Sequence, residues 1–120
     1  MEFIQIALQI VIALGIFNVW FLRGGKTTQY RGKGAGNIEE EFAAYGLSKF
    51  AFYAVGTAKV ACAVVLLIGI WFSVLVTPAA SILALLMVGA IAMHLKVNDP
   101  AKKSLPAVTM LGMCLLVIIL

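Results

Sequence analysis

KFAFYAVGTAKVACAVVLLIGIWFSV, residues 49–74, opens on Lys49 and is then almost wholly apolar. After Lys49 its only charged side chain is Lys59. A run of this length crosses a hydrocarbon core of about 30 Å at roughly 1.5 Å per residue, so a transmembrane helix is predicted over 49–74, capped by Ser48. Counted from Lys49, Lys59 then lies about 15 Å into the membrane, close to its middle. An ammonium there costs between about 3 and 10 kcal/mol unless it snorkels, pairs or meets water. Gly56, Lys59, Cys62 and Ala63 share one stripe of that helix. Small residues mark where membrane helices approach one another, so Lys59 is expected to face the bundle or a cavity and not lipid.

The same physics applies on both sides of this segment. Upstream, residues 3–22 form a second apolar run, ended by Arg23 and the Gly24-Gly25 pair, and residues 26–37 read as a solvated, Gly-rich basic loop. A short helix is predicted over 38–45. Asn37 is its cap, Glu40 follows three residues later as in a capping box, and Glu39, Glu40 and Glu41 suit the positive end of the helix. Its apolar residues Ile38, Phe42 and Tyr45 form one stripe, which places the helix at the membrane surface, and Gly46 ends it. Downstream, Val76-Thr77-Pro78 reads as a tight uncharged turn, followed by spans over 79–95 and 105–120 separated by a charged loop of residues 96–103. The expected fold is all-α: an integral membrane four-helix bundle forming a single domain, 1–120, with a short interfacial helix between spans one and two.

Composition agrees. The chain is 63% hydrophobic, and a soluble domain of 120 residues could not cover that much apolar surface. The net charge of +4 does not indicate nucleic acid, because the basic residues cluster beside apolar spans. Arg23, Lys26, Arg31, Lys33 and Lys49 flank one end of spans one and two, and Lys96, Lys102 and Lys103 flank the loop between spans three and four. The opposite side has Glu2 and no basic residue. The positive-inside rule therefore predicts both termini on the non-cytoplasmic side. Trp20 and Trp71 suit the two aromatic belts. The N-terminus lacks the basic segment of a cleavable signal, so span one is expected to remain in the mature protein.

Eight of the nine basic residues are accounted for by topology; the ninth is Lys59. Two readings stay open for it. It either locks helices together or lines a pocket that holds a ligand. Its candidate companions are Glu39, Glu40 or Glu41 dipping in from the interfacial helix, Asn18 near the inner end of span one, and the hydroxyls of Tyr45 and Tyr53. His94, at the inner end of span three, is an interfacial hydrogen-bonding residue and a further ligand-binding candidate. Gln5 and Gln9 share a face of span one and are assigned to helix packing. Cys62 and Cys114 sit mid-span as small buried hydrophobes, and Met87, Met93, Met110 and Met113 read as core filler. Gly25-Lys26-Thr27 lacks the earlier glycine and the preceding strand of a phosphate loop. No catalytic set and no metal-ligand cluster is readable, so the chain is not expected to be an enzyme on its own.

Several stretches together resemble the DoxX-like family of small four-helix bacterial membrane proteins. They are Glu40-Glu41-Phe42-Ala43-Ala44-Tyr45-Gly46-Leu47, Val55-Gly56-Thr57-Ala58-Lys59-Val60, and Ala92-Met93-His94-Leu95-Lys96-Val97 with Asp99-Pro100 and Lys102-Lys103-Ser104-Leu105-Pro106-Ala107. The resemblance implies the four-helix fold. It also implies an association with redox chemistry or membrane-protein assembly, since the family takes its name from a subunit of a thiosulfate:quinone oxidoreductase. Many relatives carry a glutamate where this chain has Lys59, which reverses the charge at that point. The expected function is an accessory subunit holding a quinone or lipid in an intramembrane pocket, with a protein partner or a second copy. The alternatives are a membrane subunit of a quinone-linked oxidoreductase, and an assembly factor or scaffold.

Overall fold

The computed structural model describes residues 3–22 and 35–120. Glu2 and the basic segment from Arg23 to Lys33, on which part of the orientation argument rests, lie outside the described residues. Among the described residues every regular element is helical. Helix α1 covers Phe3–Phe17 and continues through a π-helical turn, Asn18–Leu22. Helix α2 covers Ile38–Ala44, α3 Lys49–Ile68, α4 Val76–Lys96 and α5 Leu105–Ile119. Four of these segments are long and apolar enough to cross a membrane: Phe3–Leu22, Lys49–Ile68, Ser73–Lys96 and Ala101–Ile119.

The long helices close a ring, in which α1 packs on α3, α3 on α4, α4 on α5, and α5 back on α1. Ile12, Ile16, Leu66, Leu83, Cys114 and Val117 fill its centre, and Ala13, Ala63, Ala79 and Ala80 let the backbones approach. At most 28% of any span is buried within the protein. Large apolar side chains such as Leu14, Phe21, Leu85 and Ile119 point outward, which is stable only where lipid is the solvent. Cys62 and Cys114 are buried and unpaired.

The two glutamines of α1 have a specific task. Helices end with carbonyls that no later amide reaches, and within an apolar layer these need a donor. Gln9 Nε2 donates to the Leu66 carbonyl at 2.7 Å, near the end of α3, and Gln5 Nε2 donates to the Val117 carbonyl at 2.9 Å, near the end of α5. The packing role expected of both is carried by these bonds.

The connection between α3 and α4 differs from the expected one. Helix α3 stops at Ile68, with Gly69 as its cap, and not at residue 74. The chain turns over Gly69, Ile70, Trp71 and Phe72, makes a single 3-10 turn over Ser73–Leu75, and enters α4 at Val76. Pro78 thus lies in the first turn of a helix and makes no tight bend. The first amides of a helix have no acceptor within it, so a ring that removes one is tolerated there. Helix α4 accordingly begins three residues before the expected start of span three.

At the other end, α2 forms as its sequence indicates. Asn37 Oδ1 accepts from the Glu40 amide at 2.8 Å, and Glu40 Oε2 accepts from the Gly36 amide at 2.7 Å. Gly46 takes a positive φ of 80°, which lets Leu47 N donate to the Phe42 carbonyl and Gly46 N to that of Ala43. The apolar stripe of α2 faces the bundle. Ile38, Phe42 and Tyr45 are all buried. Ser48 Oγ caps α3 by accepting from the Ala51 amide at 3.2 Å.

Candidate functional site

The charged end of the bundle encloses a cavity of about 320 Å³, partly open, to which all five helices contribute. Helix α1 contributes Ile16 and the π-helical residues Asn18, Val19 and Trp20. A π-turn widens the helix by one residue and is a common way of re-aiming side chains at functional positions. Trp20 forms one wall. Its ring tilts against Phe52 at 5.6 Å and meets Phe42 edge-on at 6.3 Å, so α1, α2 and α3 are joined through one aromatic cluster. Gly56 makes this possible: a Cβ at that position would stand 2.6 Å from Trp20 Cζ3.

Lys59 lies one turn further along α3 and lines the same cavity. Its Nζ is 5.8 Å from the centre of the Trp20 ring, within cation–π range. The side chain thus bends from mid-span toward the charged end. Among the described residues it has no carboxylate within ion-pairing distance. Glu41 of α2 also lines the cavity and acts on Lys59 through space.

Opposite these residues stands His94, at the end of α4 and buried. The loop after α4 curls back, with Asn98 at a positive φ of 58° and the Asp99 amide donating to the His94 carbonyl at 3.0 Å. This returns the Asp99 side chain to the imidazole, and His94 Nδ1 donates to Asp99 Oδ2 at 2.9 Å. A carboxylate can only accept in that bond, so the proton on the ring is fixed at Nδ1. The Tyr45 hydroxyl sits 3.4 Å from both ring nitrogens, and the Tyr45 carbonyl accepts from Lys96 Nζ at 3.0 Å. Lys103, on the 3-10 turn before α5, reaches Asp99 Oδ1 at 3.9 Å and lines the cavity. Met87, Ala90, Pro106, Ala107 and Met110 make the apolar remainder of the wall.

A match to the family model of the DoxX-like family extends over residues 7–118 and so includes every residue of this cavity. The chain belongs to the DoxX-like family. No curated protein matches it, and no solved structure does either. For this DoxX-like protein the family, together with four apolar helices, establishes a multi-pass membrane protein.

Of the residues proposed from sequence, the DoxX-like fold brings Lys59, Glu41, Asn18 and His94 to one cavity. Tyr45 stands behind His94 and supports it. Glu40 is exposed and engaged at the start of α2, and Tyr53 is 59% exposed on the outer side of α3, so neither lines the cavity. Glu39 pairs with Lys49 at the surface, at 3.5 Å. Trp20, Lys103, Met87 and Met110 line the site without having been singled out for it. Each already had an adequate explanation: aromatic belt, orientation signal or core filler. The one available signal was Gly56, whose missing side chain one turn before Lys59 implies a bulky partner.

Proposed function

We propose that this DoxX-like protein is an accessory membrane subunit that holds a lipophilic ligand, a quinone or a lipid, in the cavity beside Lys59. The observation that carries this reading is a cavity that places Lys59, rooted mid-span, together with Asn18, Glu41, His94 and Lys103 against an apolar wall of Ile16, Val19, Met87 and Met110. A lysine rooted mid-span and aimed into such a cavity supports a use beyond packing. The volume falls at the lower end of the roughly 300–1,000 Å³ range of small-molecule sites, and apolar walls with a few convergent polar groups are typical of them. In this reading the protein sits in the bacterial cytoplasmic membrane with its charged loops inside and both termini outside. The loops and α2 present a docking surface to a protein partner or a second copy.

The test is extraction of the purified protein and quantification of lipids and quinones per chain. A defined species should co-purify in near-stoichiometric amount with the wild type and fall at least several-fold in Lys59→Met. A ligand-free wild-type protein that shows no response to added quinone or lipid contradicts the proposal.

A second reading, a membrane subunit of a quinone-linked oxidoreductase, is favoured by the His94–Asp99 pair. An imidazole backed by a carboxylate can exchange a proton with a quinone head while a redox partner supplies the electrons. Unchanged quinone reduction by a reconstituted partner complex carrying His94→Gln would eliminate it.

A further inference from the structure

The charges around the cavity are not balanced alike. Lys103 has Asp99 at 3.9 Å, and His94 holds the same carboxylate at 2.9 Å, so those three groups satisfy one another at one side. Glu39 is engaged with Lys49 outside. Lys59 faces the cavity with the face of Trp20 beneath it and, among the described residues, no carboxylate in contact. A ring face supplies about 0.5–2 kcal/mol of attraction to an ammonium, and Glu41 acts on it only through space. An anion delivered by a ligand would give Lys59 a direct partner, because charge-assisted hydrogen bonds strengthen where water is excluded.

The shape narrows the ligand further. The polar groups Lys59, Glu41, His94 and Lys103 gather toward the charged end, while Ile16, Met87 and Met110 lie deeper between the helices. A partly open cavity of about 320 Å³ fits the enclosed part of one chain better than that of two. Building on the proposed ligand-holding role, we infer that the cavity binds a single-chain amphiphile with an anionic head. Its carboxylate or monoester phosphate accepts hydrogen bonds from Lys59 Nζ, and its chain runs along Ile16, Met87 and Met110.

The protein contains its own reporter. It has two tryptophans, and Trp71 lies in the exposed turn between α3 and α4, away from the cavity. In Trp71→Phe protein the remaining emission is that of Trp20, which lines the site. The purified full chain in nonionic detergent is titrated with dibromostearate, with a dibrominated single-chain phosphatidic acid, and with the methyl ester of dibromostearate. The bromines quench an indole they touch. Saturable quenching is expected from at least one acid, at a concentration at least tenfold below that needed with the ester. The acid that saturates first shows whether the head is a carboxylate or a phosphate. Lys59→Met should raise the saturating concentration of the acid at least tenfold, and Lys59→Arg should restore most of it.

Equal quenching by acid and ester, or an unchanged acid titration in Lys59→Met, overturns the anionic head and leaves the ligand-holding role standing. Absence of saturable quenching by all three overturns the single-chain amphiphile. If a co-purified quinone is nevertheless found, the broader role survives with a neutral ligand.

Discussion

The ammonium of Lys59 lies 5.8 Å from the centre of the Trp20 ring, and this contact joins the middle of α3 to the π-helical end of α1. It is a weak attachment for so costly a group. Cation–π contacts contribute about 0.5–2 kcal/mol, and a lysine rooted mid-span gives up part of its hydration even when its side chain bends toward the charged end. Lys59→Met is therefore expected to leave the protein at least as resistant to thermal unfolding in detergent as the wild type. A marked fall in the unfolding temperature would instead assign Lys59 to locking the helices.

Gly56 and Trp20 set the geometry of that contact. A methyl group on residue 56 meets the indole at 2.6 Å, and a ring wedged between Phe42 and Phe52 cannot swing aside freely. Overpacking of this kind costs about 1–3 kcal/mol. Gly56→Ala should lower the unfolding temperature and shift the Trp20 emission. Pairing it with Trp20→Phe, which shortens the ring, should recover much of the loss.

Legibility from sequence followed the strength of the physical signal. Apolar runs of membrane length and the segregation of eight cations located the spans. The Asn37 and Glu40 spacing and the position of Gly46 located α2 almost to the residue. The α3–α4 connection was misplaced because Pro78 reads equally as a turn residue and as a first-turn residue of a helix. Gly69 decides between them only once the fold is known. The stripe of Ile38, Phe42 and Tyr45 was legible as a stripe, but not as one facing the bundle, since its partners Trp20, Phe52 and His94 come from three different helices. Lys59, Glu41, Asn18 and His94 were found because each is polar where apolar residues are expected. Trp20 and Lys103 were not, because a belt and a charged loop already account for them.

Asp99 holds His94 in a fixed orientation through a buried hydrogen bond of 2.9 Å. Hydrogen bonds to a charged group contribute about 1.5–3 kcal/mol. Asp99→Asn replaces the carboxylate by a neutral amide and leaves Lys103 without that counter-ion. A loss of about 1–3 kcal/mol in unfolding free energy is expected, with a changed Nδ1/Nε2 pattern of the single histidine in nitrogen NMR spectra. An unaltered histidine spectrum would show that Asp99 does not set the tautomer.

Gln9 reaches across from α1 to the Leu66 carbonyl while its own Oε1 is buried without a partner. Gln9→Leu removes that orphan acceptor but strands the carbonyl at the end of α3. Interhelical bonds in membranes are worth about 0.6–2 kcal/mol, so a net destabilisation of about 1 kcal/mol is expected, measured by unfolding in mixed micelles. Gln9→Ala, which also opens a void in a fully buried site, should cost more, about 2 kcal/mol or above. Equal losses in the two variants would show that the hydrogen bond, and not the packing, dominates at this position.

The ligand-holding role is tested most directly by an experimentally determined structure of the wild-type protein in lipid nanodiscs, read for density in the cavity beside Lys59. Continuous density from Lys59 Nζ along Met87 and Met110, absent from the Lys59→Met protein, is the predicted result. A cavity closed by its own side chains in both proteins would contradict it.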